Sequence, residues 1–410
     1  MRRLFLFGSW GQTVADDASL NLVRGQFWPH VLFVSVVLAV AVYAVEVPEY
    51  NWDVVGYTGA ALQPEYSSVA DLHRAAFNRL RASVPDSKFH ELAPDGEDYR
   101  GIVASDPHSF LQQIPFYSSK PLYVALIRLA SMAGVEVVRA PGAVSAAAAT
   151  GIAFVVYFWI GCYCTGLIRV LITLVGCFVL GIPALARLAS PDALSTFIVI
   201  SAVSLAALKG RPLAGAILLP LSLFARSDNL IFGLFLAGAY LYTWKGVLRE
   251  RTSLVAVYMV FLVFIYLAVT RFWPSYGHQT LFYHTFVAKL TYPASAAVSL
   301  TALDYAKAVL GGVKMSIFSP FNMSLWILVL IGIATMSRRP APSTESRLVF
   351  ALIWSSLAAA CVHFLLLPVA DGRFYLAEAF VAALLWLGAS HPSEAAGGLI
   401  SRSCQSETSA

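Results

Sequence analysis

Charged residues are scarce in this sequence of 410 residues: 12% are Asp, Glu, Lys or Arg, whereas 58% are hydrophobic. Soluble globular domains carry about 25% charged residues, so this composition excludes that class. The mean hydropathy of +0.70 is typical of an integral membrane protein. Apolar runs of roughly 20 residues suit membrane-crossing helices, and they lack the alternation of a transmembrane barrel. The sequence therefore predicts an all-α polytopic membrane protein.

Cysteine is also sparse. Four of the five cysteines lie in or beside apolar runs and the fifth is in the polar C-terminal tail. Their spacing matches neither a redox pair nor a metal site. No internal repeat is visible, and the net charge of +5 is small and falls mostly in short loops. Such a charge indicates orientation in the bilayer and does not favour nucleic-acid binding.

The apolar runs predict about 10 to 11 transmembrane helices. The ten clearest spans are 27–46, 142–163, 167–187, 192–208, 212–226, 229–244, 254–271, 321–336, 348–367 and 374–390. Ten crossings place both termini and all the basic clusters in the cytoplasm, as the positive-inside rule favours. A further apolar piece, 121–138, is interrupted by Arg128. Because an eleventh crossing would separate the termini, we expect this piece to be re-entrant or to lie on the surface.

Two long polar segments interrupt the predicted transmembrane domain of residues 1–390. The first, 47–119, is rich in acidic residues and proline, so we interpret it as an extracytoplasmic loop with short amphipathic helices. The stretch "SVADLHRAAFNRLRASV" is the clearest of these helices, and a disordered insertion is the alternative. The second segment, 272–320, is predicted to be another extracytoplasmic loop. Residues 391–410 form a polar tail that is predicted to be cytoplasmic.

Polar residues at the ends of apolar helices are costly and often mark function. The candidates that we expect to converge at the extracytoplasmic face are Asp53, Lys120, Asp192, Arg226, Asp228, His284, Asp371 and Arg373. Each one also has a purely structural explanation, such as a helix cap, a paired corner between helices, a packing histidine or a tight polar turn. Together, they would form a basic pocket with carboxylates, which suits a phosphate leaving group and a nucleophile that must lose a proton.

The order of these pieces resembles the GT-C superfamily of integral-membrane glycosyltransferases that use polyprenyl-phosphate sugars. It is most similar to the branch with protein O-mannosyltransferases and lipid A aminoarabinose transferases. Asp53 in "NWDVVGY" matches the family's loop aspartate, and Lys120-Pro121 matches the dipeptide that opens the next apolar piece. Asp192 and Arg226 follow in the family's order, and the segments "FYHTF" and "GRFYLAEAF" match its later aromatic segments.

The resemblance implies an inverting glycosyltransferase that moves a sugar from a polyprenyl phosphate to a hydroxyl of an envelope glycan or lipid. Asp53 is then the general base, and the donor phosphate is bound by Lys120, Arg226 and Arg373. His284 and Asp192 are expected to orient the reacting groups. The resemblance gives no firm cofactor. A divalent metal stays open as an alternative but lacks support, because Ser119 stands where the aminoarabinose transferases have an acidic metal ligand.

The implied partners are the lipid-linked donor, the glycan or lipid acceptor and membrane lipids, with no nucleic acid. The implied location is a bacterial inner membrane, with the active site facing the periplasm or exterior. The main alternative is a transporter or flippase for a lipid-linked or anionic solute, which would usually show internal repeats and charges near the midplane. An acyl- or phosphate-transferring enzyme and a structural assembly subunit also remain open.

Overall fold

A computed structural model describes residues 17–207, 212–243, 249–273, 275–318, 323–336 and 344–390. These residues are mostly helical and contain no strand. The helices are α1 Asp17–Glu46, α2 Asp53–Leu62, α3 Val69–Ser83, α4 Asp86–Leu92, α5 Tyr99–Ser105, α6 Pro107–Ser118, α7 Pro121–Met132, α8 Ala140–Ile160, α9 Gly166–Val179, α10 Ile182–Arg187, α11 Asp192–Ala207, α12 Pro212–Ala225, α13 Asn229–Thr243, α14 Arg249–Phe272, α15 Gly277–Phe286, α16 Ala302–Phe318, α17 Met323–Met336, α18 Thr344–Leu366 and α19 Leu376–Ser390. The tail 391–410 and most residues of the basic clusters lie outside the described residues.

In the described part of the chain, four helices are long and apolar enough to cross a membrane. They are Phe27–Glu46, Ala140–Ile160, Thr252–Phe272 and Arg347–Leu366. This finding agrees with an all-α membrane protein, because about 20 helical residues cover the hydrocarbon core. Further apolar helices of 10–17 residues include α7, α9, α11, α12, α13 and α17. The number of crossings beyond the four long helices stays a prediction.

Two apolar pieces differ in detail from simple spans. The expected continuous helix over 167–187 is divided into α9 and α10 at Gly181, which has a left-handed φ of 74°. A glycine tolerates this conformation because it lacks a Cβ atom. The piece 121–138 is helical only as far as Met132. A helix of 12 residues is about 18 Å long, too short to cross the membrane by itself.

The first predicted loop is an ordered group of helices, α2 to α6, so the disordered alternative does not apply to it. Helix α3 confirms the predicted amphipathic helix, and it begins where the Ser68 hydroxyl accepts a hydrogen bond from the Asp71 amide at 3.4 Å. Its buried residues Leu72, Ala76, Phe77 and Leu80 lie on one helix face. The Phe77 ring packs on Phe110 of α6, with ring centroids 5.5 Å apart.

Helix α2 lies unusually close to α6. A Cβ atom at Gly56 would lie 2.1 Å from the Tyr117 ring, and one at Gly59 would lie 2.6 Å from Phe110. Only glycine permits this approach without moving an aromatic ring. The contact fixes Asp53, the first residue of α2, relative to Tyr117 near the end of α6.

Backbone contacts join the end of α1 to the segment that precedes α11. The Glu49 amide donates to the Arg187 carbonyl at 2.9 Å, and Glu49 forms an isolated parallel bridge with Leu188. The Arg187 side chain donates in return to the Val47 carbonyl at 2.7 Å. These bonds hold the segment that leads to Asp53 beside the segment that leads to Asp192, although the two aspartates are far apart in sequence.

Helix α12 packs closely on α11, and this contact generates a stability prediction. A Cβ atom at Gly215 would lie 2.5 Å from the backbone carbonyl of Ala202. We expect Gly215→Ala to lower the unfolding free energy by about 1–3 kcal/mol, because the backbone must shift to relieve the overlap. Thermal unfolding in detergent measures this loss.

The matched control is Gly238→Ala in α13, where no described atom lies within 4 Å of the added methyl group. We expect this control to be neutral or slightly stabilising, since alanine favours a helix interior over glycine by about 1 kcal/mol. Equal melting temperatures for the two variants would contradict the packing described for Gly215.

Candidate functional site

Asp192 is a buried carboxylate at the first turn of α11. Its side chain is 4% exposed, and the Ser190 hydroxyl donates to its Oδ2 atom at 2.5 Å. The Ser190 carbonyl in turn accepts a hydrogen bond from the Ser145 hydroxyl of α8 at 3.0 Å. The helix dipole favours a negative charge at this position. Sequence and packing together therefore hold Asp192 at the end of the helical bundle.

Arg226 follows the last residue of α12 and is the centre of an ion-pair network. Its guanidinium donates to Asp192 through Nη1 and to Asp228 through Nη2, and Nε lies 3.1 Å from Asp228 Oδ1. The two contacts with Asp228 form the two-pronged pairing that arginine favours with carboxylates. The predicted corner between the helices is thus paired, and it is connected to the start of α11.

His363 extends the network to α18. Its Nε2 atom lies 2.9 Å from Asp228 Oδ2, and the histidine side chain is 8% exposed. The nearby Glu378 of α19 is also buried and lies within electrostatic range of both His363 and Arg226. Neither residue was a sequence candidate. Each lies within an apolar stretch of its helix, and this isolated polarity was the available signal.

Arg373 lies in the short turn Gly372–Tyr375 that precedes α19. Its Nε atom is 2.9 Å from Asp371 Oδ2 and 3.6 Å from Asp192 Oδ2. Neither carboxylate is aligned to accept a hydrogen bond from it, so this buried N–H has no hydrogen-bond partner among the described residues. The Arg373 and Arg226 guanidinium carbons both lie over the Phe374 ring, at 5.1 and 4.7 Å from its centroid. The turn therefore places a second guanidinium, with unused donor capacity, beside Asp192.

Asp53 differs from the other carboxylates of the site. It forms no ion pair with any described residue, and the Asn51 amide donates to its Oδ2 atom at 3.2 Å. The residue is half-buried at the first turn of α2. Burial raises its pKa above the usual 3.8, although the nearby positive charges of Arg373 and Lys120 oppose this shift.

Lys120 caps the start of α7, directly before Pro121. Its ammonium group donates to the Phe116 carbonyl at the end of α6. Burial lowers the pKa of Lys120, while the nearby carboxylates of Asp53 and Asp228 partly reverse this change. Lys120 therefore belongs to the same charged group as Asp53, even though the two lie on different helices.

His284 is not in the ion-pair network. It lies on α15, where its Nδ1 atom accepts a hydrogen bond from the Leu290 amide at 3.0 Å. Its ring stacks on Phe116 and meets Tyr99 edge-on, with centroid distances of 4.9 and 5.4 Å. Burial, with a smaller effect of Lys289, lowers the pKa of His284 to about 4. The imidazole is therefore neutral at pH 7 and forms part of an aromatic layer with Tyr99 and Phe116.

The structure thus brings Asp192, Arg226, Asp228, Asp371 and Arg373 into one connected network. Asp53 and Lys120 lie within electrostatic range of it. In the described ranges, no cluster of three or more His, Cys, Asp or Glu side chains is arranged to hold a metal ion. The arrangement offers one weakly held carboxylate next to cationic donors, which suits proton removal beside an anion.

No family model, curated protein or solved structure matches this chain. A functional assignment must therefore be argued from the site and from the pattern of the sequence.

The buried network predicts a large stability effect at Arg226. We expect Arg226→Met to lower the unfolding free energy by about 3–5 kcal/mol, because Asp192 and Asp228 would stay buried without their main partner. The double variant Asp192→Asn/Arg226→Met should recover part of this loss, since it also removes one uncompensated charge. Thermal unfolding of the wild type and of the variants in detergent measures both effects.

Arg74→Met is the matched control, because Arg74 pairs with Asp71 on the surface of α3 and the two side chains are 70% and 54% exposed. Surface pairs contribute about 0–1 kcal/mol. Similar losses for Arg226→Met and Arg74→Met would show that the network does not stabilise the fold as described.

Proposed function

We propose that this chain is a membrane glycosyltransferase that transfers a sugar from a polyprenyl phosphate to an acceptor hydroxyl. The observation that carries the proposal is the position of Asp53. Asp53 is a half-buried residue whose carboxylate has no ion-pair partner among the described residues, and it lies within electrostatic range of Lys120 and Arg373. A proton acceptor beside cationic donors is what transfer from a glycosyl phosphate requires.

In the proposed reaction, the acceptor oxygen attacks the anomeric carbon of the donor sugar while Asp53 takes the hydroxyl proton. A new carbon–oxygen bond forms as the bond between the anomeric carbon and the phosphate oxygen breaks, so the configuration inverts. The polyprenyl phosphate leaves without a proton. One carboxylate is therefore sufficient, in contrast with glycosidases, which require an acid for their alkoxide leaving group.

The cationic residues have different roles in this proposal. Arg226 already donates to two carboxylates and is 8% exposed, so its role is to hold Asp192 and Asp228 in place. Arg373 has a buried N–H without a hydrogen-bond partner among the described side chains and backbone, and Lys120 lies within electrostatic range of Asp53. These two residues have the capacity to bind the donor phosphate. Lysine acts as a point charge, and arginine can bind two phosphate oxygens.

An apolar cavity supports a lipid-linked donor. It has a volume of about 340 Å³ and lies between α1, α8, α9 and α10. Its lining includes Val37, Ala149, Leu174 and Phe178. Ala149 lies one helical turn from Ser145, which is bonded to the backbone at Ser190 beside Asp192. A hydrocarbon chain in this cavity would begin close to the charged network.

The resemblance to GT-C enzymes implies the location of the active site, which we expect on the periplasmic or exterior side of a bacterial inner membrane. The acceptor class in this proposal is an envelope glycan or lipid. No described feature specifically favours transport over transfer.

The central test is transfer of labelled sugar from a panel of polyprenyl-phosphate sugars to envelope extract. We expect Asp53→Asn to reduce the rate by about 100-fold to 10,000-fold, because the variant lacks the proton acceptor. Its melting temperature should stay close to that of the wild type. The matched control is Asp71→Asn, which changes an exposed acid of α3 and should leave the rate unchanged.

Full activity of a folded Asp53→Asn variant would remove Asp53 from the chemistry. A lack of transfer by the wild type from every donor would overturn the proposed reaction.

The pKa of Asp53 generates a prediction for the pH profile. The base is active when it is deprotonated, so kcat/KM should rise with pH through a midpoint above the usual 3.8. Lys120 lowers the pKa of Asp53, and Lys120→Gln should therefore move this midpoint to a higher pH. Steady-state rates at donor concentrations well below KM, measured across pH, report kcat/KM and therefore the shift in the unliganded enzyme. An unchanged or lower midpoint in Lys120→Gln would contradict the assignment of Asp53 as the titrating base.

A further inference from the structure

Some residues near Asp53 are not used by the proposed donor-binding groups. Lys120, Arg373 and Asp192 lie within electrostatic range of Asp53. A second group, here called the outer wall, consists of Asn51, Trp52, Tyr99, Arg100 and Lys289. It is built from the start of α2, from α5 and from the segment that follows α15.

The segment that carries Lys289 is held in place by side chains of α6. The Gln113 amide donates to the carbonyls of Leu290 and Thr291 at 3.1 and 3.0 Å. The Ser109 hydroxyl also donates to the Thr291 carbonyl, at 2.8 Å. Since α6 packs directly on α2, these bonds fix the segment relative to Asp53.

Aromatic rings line the outer wall. Trp52 and Tyr99 are partly exposed, and their ring centroids are 5.4 Å apart. Tyr99 then contacts His284, so the rings form a continuous layer. The Tyr99 hydroxyl donates to the Gln113 side chain at 3.0 Å, which restricts the ring orientation. Rings of this kind combine an apolar face with a polar edge, and the C–H face of a pyranose ring can pack on them.

Asn51 offers an unused hydrogen-bond acceptor next to the proposed base. Its amide nitrogen donates to Asp53, while its Oδ1 atom is buried and has no hydrogen-bond partner in the described part of the chain. Buried polar atoms are usually paired, so an unpaired one needs an explanation. A sugar hydroxyl next to the one that reacts with Asp53 would donate to this oxygen.

Two cations complete the outer wall. The Arg100 guanidinium lies 5.3 Å from the centroid of the Trp52 ring, and Lys289 interacts electrostatically with both Asp53 and Arg100. Both side chains are exposed, and neither forms an ion pair with a carboxylate in the described part of the chain. Their mutual repulsion would be relieved by a bound anion.

We propose that the outer wall is the acceptor subsite and that it binds a sugar that carries a negative charge, as a carboxylate or a phosphate. Trp52 and Tyr99 contact the sugar face, Asn51 accepts a hydroxyl, and Arg100 with Lys289 binds the anionic group. The inference rests on the proposed function in one respect, since Asp53 is taken as the base that the acceptor hydroxyl meets.

The test uses the full chain in detergent and three fluorescein-labelled trisaccharides. They are trigalacturonate, its carboxyl-reduced neutral form, and the neutral form with one phosphate. Fluorescence anisotropy should show at least one charged probe binding about tenfold or more tighter than the neutral probe. The preference should weaken at high ionic strength, because exposed charges are screened. The tighter charged probe identifies carboxylate or phosphate as the recognised group.

The variant Arg100→Gln/Lys289→Gln should lose the preference for charged probes, whereas its binding of the neutral probe should stay unchanged. The control Arg79→Gln/Lys88→Gln makes the same change in net charge on exposed positions of α3 and α4. It should keep the preference. Loss of preference in both double variants would indicate a general charge effect and overturn the proposed subsite.

The binding assay requires no donor sugar, so it separates the two proposals. If charged probes are preferred through Arg100 and Lys289 but no donor supports transfer, the proposed glycosyltransferase reaction is overturned and the subsite is retained. If transfer depends on Asp53 but charged and neutral probes bind equally, only the proposed subsite is overturned. A lack of binding for all three probes would also overturn the subsite.

Discussion

The guanidinium of Arg226, buried between Asp192 and Asp228, is the interaction on which the site depends. An isolated charge is very costly in an apolar bundle, whereas a charge with hydrogen-bonded partners is tolerated. The network continues through His363 to α18 and through Arg373 to the start of α19. Because each charge requires its partner, the ends of several helices must stay in register. The same helix ends carry the charged residues of the candidate site.

The network also explains why one carboxylate differs from the rest. Asp192 and Asp228 are both paired with Arg226, so their carboxylates already have a charged partner. Asp53 lies outside this pairing and near Lys120, and burial raises its pKa while the surrounding cations oppose the rise. In the proposed reaction, this balance gives a base that is deprotonated in use but is not held by an arginine. In this proposal, Asp192 and Asp228 stabilise the network, whereas Asp53 takes part in the reaction.

Helix α6 connects the two sides of the site. Its aromatic side chains meet the glycines of α2, and its polar side chains hold the backbone near Leu290 and Thr291. The position of Asp53, the aromatic layer and the segment with Lys289 therefore depend on the same helix. A distortion of α6 would alter the proposed base and the proposed acceptor subsite together, although the ion-pair network is anchored on other helices.

Local chemistry was sufficient for the helical membrane class, because apolar length and charge content are properties of each segment. It also indicated Asp53, Lys120, Asp192, Arg226, Asp228 and Arg373, since polar residues at apolar helix ends are conspicuous in the sequence. Only the tertiary structure decided that Arg226 pairs with two carboxylates, that His363 joins them, and that the Asn51 oxygen has no hydrogen-bond partner among the described residues. These are contacts or missing contacts between distant segments, and no local pattern encodes the distances between them. The glycosyltransferase resemblance describes an order of motifs and stays a prediction, whereas the charged network is a property of the fold.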